Sequence, residues 1–328
     1  MCLVALAIDH SRRFPLVIAT NRDEFFRRPS ARLAWWTPDS GGPAILGGRD
    51  LESGGTWLGL TAEGRLAIVT NIRAPKLNEA NSPSRGSIVP DWLSGKERSD
   101  RFWMRSALWG YNGFNLIAFD FRQGECFWAT NGGRSPVRLD RGIHGLSNAE
   151  LNTPWPKVET LKAHLQQGLD SAQSVDALSA QLFEALADRT EAADEHLPDT
   201  GVPLEWERRL SAAFIRTPDA AYGTRCSTLI ITEKVNRHLI THVLERTFSP
   251  TGVALLRRSM LKNWPPRYSL EQEVGFTPSE QGAVSESELN VDACAEAAVV
   301  TARRTRIRSL LKPELTRKRR KNAAPMPL

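Results

Sequence analysis

The order of elements in this chain predicts a layered α+β protein. Short apolar runs with strand character fill the first 150 residues, helical periodicity takes over between 155 and 215, and a long hairpin follows at 224–248. Strands grouped first and helices grouped afterwards favour sheets layered with helices over alternating βαβ units.

Two apolar strands open the chain, around 3–8 and 15–20, separated by His10-Ser11-Arg12-Arg13-Phe14. The second gives way to a loop at Thr20-Asn21-Arg22-Asp23-Glu24. Residues 25–55, with Pro29, Pro38, Gly41-Gly42-Pro43 and Gly47-Gly48, read as one long loop. Loops of that length in compact domains are commonly functional, and the Trp35-Trp36 pair is expected to pack as a lid or a pocket wall. A hairpin follows, its arms Gly54-Gly55-Thr56-Trp57-Leu58-Gly59-Leu60-Thr61 and Leu66-Ala67-Ile68-Val69-Thr70-Asn71. Residues 84–109 read as helical pieces broken at Pro90 and Ser94-Gly95, and 114–121 with 125–130 form another hairpin. The stretch 142–148 is a short strand with a polar end, and proline tolerated in a first turn starts a helix over 155–168. Further helices are expected near 174–188 and 204–215, before the hairpin of 224–232 and 238–248.

Beyond that hairpin the composition changes. Residues 269–298 are rich in Glu and Ser without a period, and 301–321 hold ten Lys/Arg against one Glu. The folded domain is therefore expected at 1–248, and 249–328 as a poorly ordered extension with one amphipathic helix near 299–311. The formal charge of +6 belongs to this tail, because the remaining chain has 33 basic and 36 acidic residues. A mildly acidic core gives no support to nucleic-acid binding.

Other classes fall away on spacing. Cys2, Cys126, Cys226 and Cys294 show no paired spacing, which argues against a disulfide framework or a zinc site and for a reducing compartment. Among six scattered histidines only His238 and His242 lie four apart, within a strand pattern, so no metal is expected. No apolar run approaches the roughly 20 residues of a membrane span. The opening run is too short for a signal peptide and meets Asp9 at once, so a cytoplasmic protein is expected.

The chemistry centres on Cys2. A cysteine after the initiator methionine is small enough for that methionine to be removed, leaving a thiol and a free α-amine on one residue. The amine titrates near about 7.7–8.0 and the thiol near about 8.5, so the amine can act as the thiol's general base. The apolar strand that follows would hold the pair inside a sheet. Thr20-Asn21, Thr70-Asn71 and Ser147-Asn148 each close an apolar run. Asparagine is a common turn former, yet amides near a thiol are also the donors an oxyanion hole requires.

Several motifs occur in order: Met1-Cys2-Leu3, Thr20-Asn21-Arg22-Asp23-Glu24, Gly47-Gly48-Arg49-Asp50-Leu51-Glu52-Ser53-Gly54-Gly55-Thr56-Trp57-Leu58-Gly59 and Leu146-Ser147-Asn148-Ala149. Tyr222-Gly223-Thr224-Arg225 and Glu245-Arg246-Thr247-Phe248 follow. On these the chain resembles the NRDE-domain family, which includes the transport and Golgi organization protein 2 homologs, over roughly 1–248. That family is similar in turn to the N-terminal nucleophile hydrolases of the bile-salt hydrolase and penicillin acylase branch.

The resemblance implies a four-layer αββα sandwich. It implies Cys2 as nucleophile, Asp23 as the carboxylate anchoring its amine, Asn148 as an oxyanion-hole amide and Arg225 as the arginine closing the site. Thr61 falls where the relatives carry another oxyanion-hole asparagine, and Asn71, Asn21 and Arg22 are further candidates for oxyanion or substrate contacts. The relatives have an arginine where this chain has Thr20; here it is Arg22, expected on the far side of the strand from the thiol. In purely structural roles, Asp23 and Glu24 would cap a following helix, Arg49 would pair with Asp50, and Trp57 would fill the core.

The function these readings favour is cysteine-dependent acyl transfer on a small amide or acyl compound, with no cofactor. The other function on the same scaffold is non-catalytic binding or trafficking of haem or a lipid, tied by the resemblance to Golgi organisation and secretion. Trp35-Trp36 would then wall the pocket, and Cys2 or a histidine would ligate iron. An adaptor role rests on the basic tail alone.

Overall fold

The computed structural model describes residues 2–95, 97–252 and 254–266. Thirteen strands form two antiparallel sheets, and five α-helices cover them among the described residues. The first sheet contains β1 (Cys2–Ile8), β2 (Leu16–Phe25), β10 (Gly142–Leu146), β11 (Tyr222–Val235), β12 (His238–Phe248) and β13 (Ala254–Lys262), in the order β10-β1-β2-β11-β12-β13. The second runs in simple succession: β3 (Ser30–Trp36), β4 (Ile45–Asp50), β5 (Leu58–Thr61), β6 (Arg65–Asn71), β7 (Phe114–Asp120), β8 (Glu125–Thr130) and β9 (Val137–Arg138). The helices are α1 (Ile88–Leu93), α2 (Ser99–Leu108), α3 (Pro156–Ser171), α4 (Val175–Leu186) and α5 (Leu204–Leu210).

Period-two alternation explains the layering, because apolar residues on both faces of a strand need partners on both sides. On β1, Val4 and Leu6 face the second sheet and meet Leu60, Ile68 and Ile117, while Leu3, Ala5 and Ala7 face α3 and α4 and meet Leu161, Leu165 and Leu182. The second sheet turns its other face, with Ala67, Leu116 and Ala118, to α1 and α2 through Trp92, Leu93 and Phe102. The result is the αββα sandwich that the resemblance implied.

Three expectations change. The stretch taken as one loop over 25–55 contains β3 and β4, and β2 itself runs on to Phe25, so no helix follows for Asp23 and Glu24 to cap. Turn residues at Pro29, Pro38 and Gly41-Gly42 had masked the strands between them. The sheet also does not stop at residue 248. β13 pairs with β12 from Phe248↔Ala254 to Ile240↔Lys262, and Trp264 is buried in the inter-sheet core, its indole donating to Thr61 O at 2.8 Å. Polar and charged residues on β13 hid it, as they do on many edge strands. The helix expected at 299–311, and Cys294, lie outside the described residues.

Candidate active site

Cys2 begins β1 at the rim of the inter-sheet core, 6% exposed. It pairs directly with Arg22 across β1 and β2, and its Sγ lies 4.0 Å from Val69 O on the facing sheet. At this end the two sheets part around a cavity of about 460 Å³. Burial pushes the Cys2 thiol above its ordinary value, and positive charge at the chain terminus and on Arg22 pulls in the opposite direction.

Much of the cavity wall is charged. Arg22 packs its guanidinium 4.2 Å over the Trp57 ring and reaches Asp50 Oδ2 at 3.2 Å and Glu24 Oε2 at 3.7 Å. Asp50 also accepts from Arg28 Nε at 2.6 Å and, through Oδ1, from the backbone N–H groups of Glu52 and Ser53. Arg28 then reaches Glu52 Oε1 at 2.8 Å. Burial raises the Asp50 carboxyl, but the Arg28 hydrogen bond, the Ser53 amide and the two guanidinium charges outweigh it and hold its pKa below the usual value. Arg49 turns outward to Asp39 at 2.6 Å, so the expected Arg49–Asp50 pair is replaced by a pair of arginines on Asp50. Trp57, expected in the core, packs partly against it and also lines the cavity.

Behind the sheet lies a second charged group. Asp23 is one position beyond Arg22, so its side chain leaves the opposite face of β2 from the one that carries Arg22. Its Oδ1 accepts from Thr224 Oγ1 at 2.7 Å. Burial raises the Asp23 pKa, countered by positive charge at the chain terminus and on Lys157, by the Thr224 bond and by Arg73. Lys157, in the first turn of α3, is buried, donates to Leu210 O at 2.7 Å and is pushed down to about 7 by burial and by Arg73. Arg73 is itself held by Glu207 at 2.6 Å, with both side chains 3% exposed.

The structure thus brings Cys2, Arg22 and Asn71 to the cavity, and Asp23 borders it from the neighbouring position on β2 while its carboxylate accepts from Thr224 behind the sheet. Asn148 is close but turned to a different task. Its Nδ2 donates to Asn71 O at 2.8 Å, and Ser147 Oγ bridges Asn148 Oδ1 at 3.2 Å and Cys2 O at 3.0 Å, so it fixes the site's backbone. Arg225 does not line the cavity. A bulge between Thr224 and Cys226 re-aims it, and it donates to Phe25 O, Arg28 O and Ser30 Oγ, clamping the turn after β2.

Thr61 and Asn21 are also elsewhere. Thr61 closes β5 beside the 62–64 turn, at the opposite end of the β5–β6 hairpin from Asn71. Asn21 faces the helices: its Nδ2 donates to Leu186 O and Ala213 O, both at 2.8 Å, and its Oδ1 accepts from Ser227 at 2.6 Å. Arg22, expected away from the thiol, lies on its side of the sheet. Residues two apart share a face, so moving an arginine from position 20 to 22 slides it along the strand without turning it over.

Among the wall residues that no sequence motif marked are Arg28, Arg85 and Asn112. Arg28 carried a weak signal, four residues after Glu24, whereas Arg85 and Asn112 sit in segments without a legible pattern. Trp35 and Trp36 do not line the cavity; Trp35 is 46% exposed and Trp36 packs against Arg49. No group of three or more His, Cys, Asp or Glu among the described residues is placed to hold a metal.

Fold and site together define a four-layer αββα protein with its second-residue cysteine at the mouth of a charged cavity. Residues 1–250 match the Transport and Golgi organisation 2 family, and the chain belongs to that family. It is 34% identical over 255 residues to the transport and Golgi organization protein 2 homolog of Bos taurus, covering 71% of this chain and 89% of that one. The Drosophila melanogaster transport and Golgi organization protein 2 is 25% identical over 290 residues, covering 76% and 93%. Among solved structures, a Caenorhabditis elegans N-acylethanolamine-hydrolyzing acid amidase ortholog aligns with a TM-score of 0.41 at 9% identity, covering 70% of this chain and 92% of that one.

Proposed function

We propose that this protein is a cysteine-dependent acyl-transfer hydrolase acting on a small polar amide or acyl compound. One observation carries the reading: the thiol of the second residue lies at a charged, ligand-sized cavity beside an arginine. Removal of Met1 gives Cys2 a free α-amine, and Asp23 at the adjacent strand end is the carboxylate that anchors it. The amine takes the thiol proton as sulfur attacks the substrate carbonyl. Arg22 Nη1, buried without an acceptor among the described residues, and the Asn71 amide are the donors available to the developing oxyanion. The leaving group takes the proton back from the α-ammonium, and water then cleaves the thioester to release the acid and restore the thiol.

Haem or lipid carriage calls for a largely apolar wall. This cavity is lined by Arg22, Glu24, Arg28, Asp50, Glu52 and Arg85, which favours a polar substrate. The test is a pre-steady-state assay with p-nitrophenyl acetate. A burst of nitrophenolate matching one acyl group per chain, absent in Cys2→Ala, supports the proposal. An identical trace from both proteins removes it.

A further inference from the structure

The cavity holds one cation whose charge the network around Asp50 does not neutralise. Arg85 sits on a 3-10 turn, Arg85–Ser87, whose start is capped by Ser84 Oγ accepting from Gly86 N. The turn is fastened to the glycine-rich loop by the Thr56 N–H donating to Gly86 O at 3.0 Å. Gly55 permits this approach: a Cβ there would lie 2.1 Å from Gly86 O. The Arg85 guanidinium donates to Gly113 O at 3.0 Å and forms no ion pair with a described residue. Arg22 and Arg28, by contrast, share Asp50. A guanidinium has five N–H donors, and this half-buried one meets a single neutral carbonyl among the described residues, which leaves its charge and its remaining donors for an anion entering the cavity.

We infer that Arg85 is an anion subsite and that the acyl compound processed at Cys2 carries a carboxylate which Arg85 binds. The inference rests on the acyl-transfer reading of the same cavity. Glu24, Asp50 and Glu52 form their ion pairs with Arg22 and Arg28, and none of the three is paired with Arg85. Arg85 and Cys2 line the same cavity, so a substrate whose carbonyl meets the sulfur can present a carboxylate to the guanidinium. Burial lowers the Arg85 pKa, and the charge of Glu24 opposes that shift.

The test compares two alkylating probes of nearly equal size, anionic iodoacetate and neutral iodoacetamide, on the full chain, with Cys2 labelling followed by peptide mass. The ratio of the two rates cancels any general change in thiol reactivity. It should fall about tenfold in Arg85→Gln, as expected for loss of a charge-assisted contact, and less in Arg85→Lys. In the wild-type chain, glutarate should slow iodoacetamide labelling while glutaramide does not, a readout independent of whether either variant folds. An unchanged ratio together with no glutarate protection overturns the anion subsite and leaves the nucleophile intact. Failure of both probes to label Cys2 in the folded protein overturns the acyl-transfer reading and this inference with it.

Discussion

Cys2 and Arg22 stand directly opposite each other on β1 and β2, and both side chains line the same cavity. Residues paired across antiparallel strands share a face, so the register of these two strands alone sets a guanidinium beside the thiol. A positive neighbour favours the thiolate, and burial of Cys2 opposes it.

Replacing Arg22 with methionine should therefore move the pH dependence of Cys2 alkylation to higher pH. The arginine lowers the thiol pKa, so its loss leaves less thiolate at any pH below the transition. A rate–pH curve with iodoacetamide reads the shift directly. An unmoved curve would show that Arg22 acts only as a structural partner of Asp50.

Asp50→Asn should destabilise the fold by about 2–4 kcal/mol at neutral pH, because Arg22 and Arg28 lose their shared counter-charge. The folded-state pKa of Asp50 is depressed, so its contribution is present above about pH 4 and is lost as pH falls through the lower folded value. Thermal melts of both proteins should differ at pH 7 and converge in acid. A gap that widens in acid would reverse the assigned sign.

Asn21→Ala separates structure from chemistry within one motif. The change leaves the carbonyls of Leu186 and Ala213 and the Ser227 hydroxyl without their partner, at a cost of about 3 kcal/mol. Melting should fall sharply, whereas Cys2 labelling measured well below the melting temperature should stay close to wild type. Lost labelling with unchanged melting would return Asn21 to the site.

Much of this was legible beforehand for identifiable reasons. The unbroken apolar runs of β1, β2, β6 and β7 mark strands buried on both faces, and the proline at the start of α3 marks a helix. Cys2 stood out by its position alone. What failed depended on partners distant in sequence. Thr61 and Asn71 bracket one hairpin, and only the orientation of the sheet decides which end meets Cys2. Arg225 was re-aimed by a bulge that no local pattern announces. Trp264 is one tryptophan after a charged strand, and its burial requires β13 to pair with β12.

That last point fixes where the chain can be cut. Truncation after Pro266 should retain the melting temperature. Truncation after Phe248 removes β13 and the buried Trp264, leaving the core beside Thr61 and Thr241 open, and should cost about 3–5 kcal/mol. Differential scanning fluorimetry of the two truncations decides it. Equal melting temperatures would make β13 dispensable and restore a boundary near 248.

The claim that Cys2 is an N-terminal nucleophile is tested most directly by intact mass spectrometry of the purified protein before and after exposure to p-nitrophenyl acetate. The expected product is a chain lacking Met1 that gains one acetyl group, mapped to Cys2 and absent in Cys2→Ala. A chain that retains Met1, or an acetyl group that persists in Cys2→Ala, would contradict it.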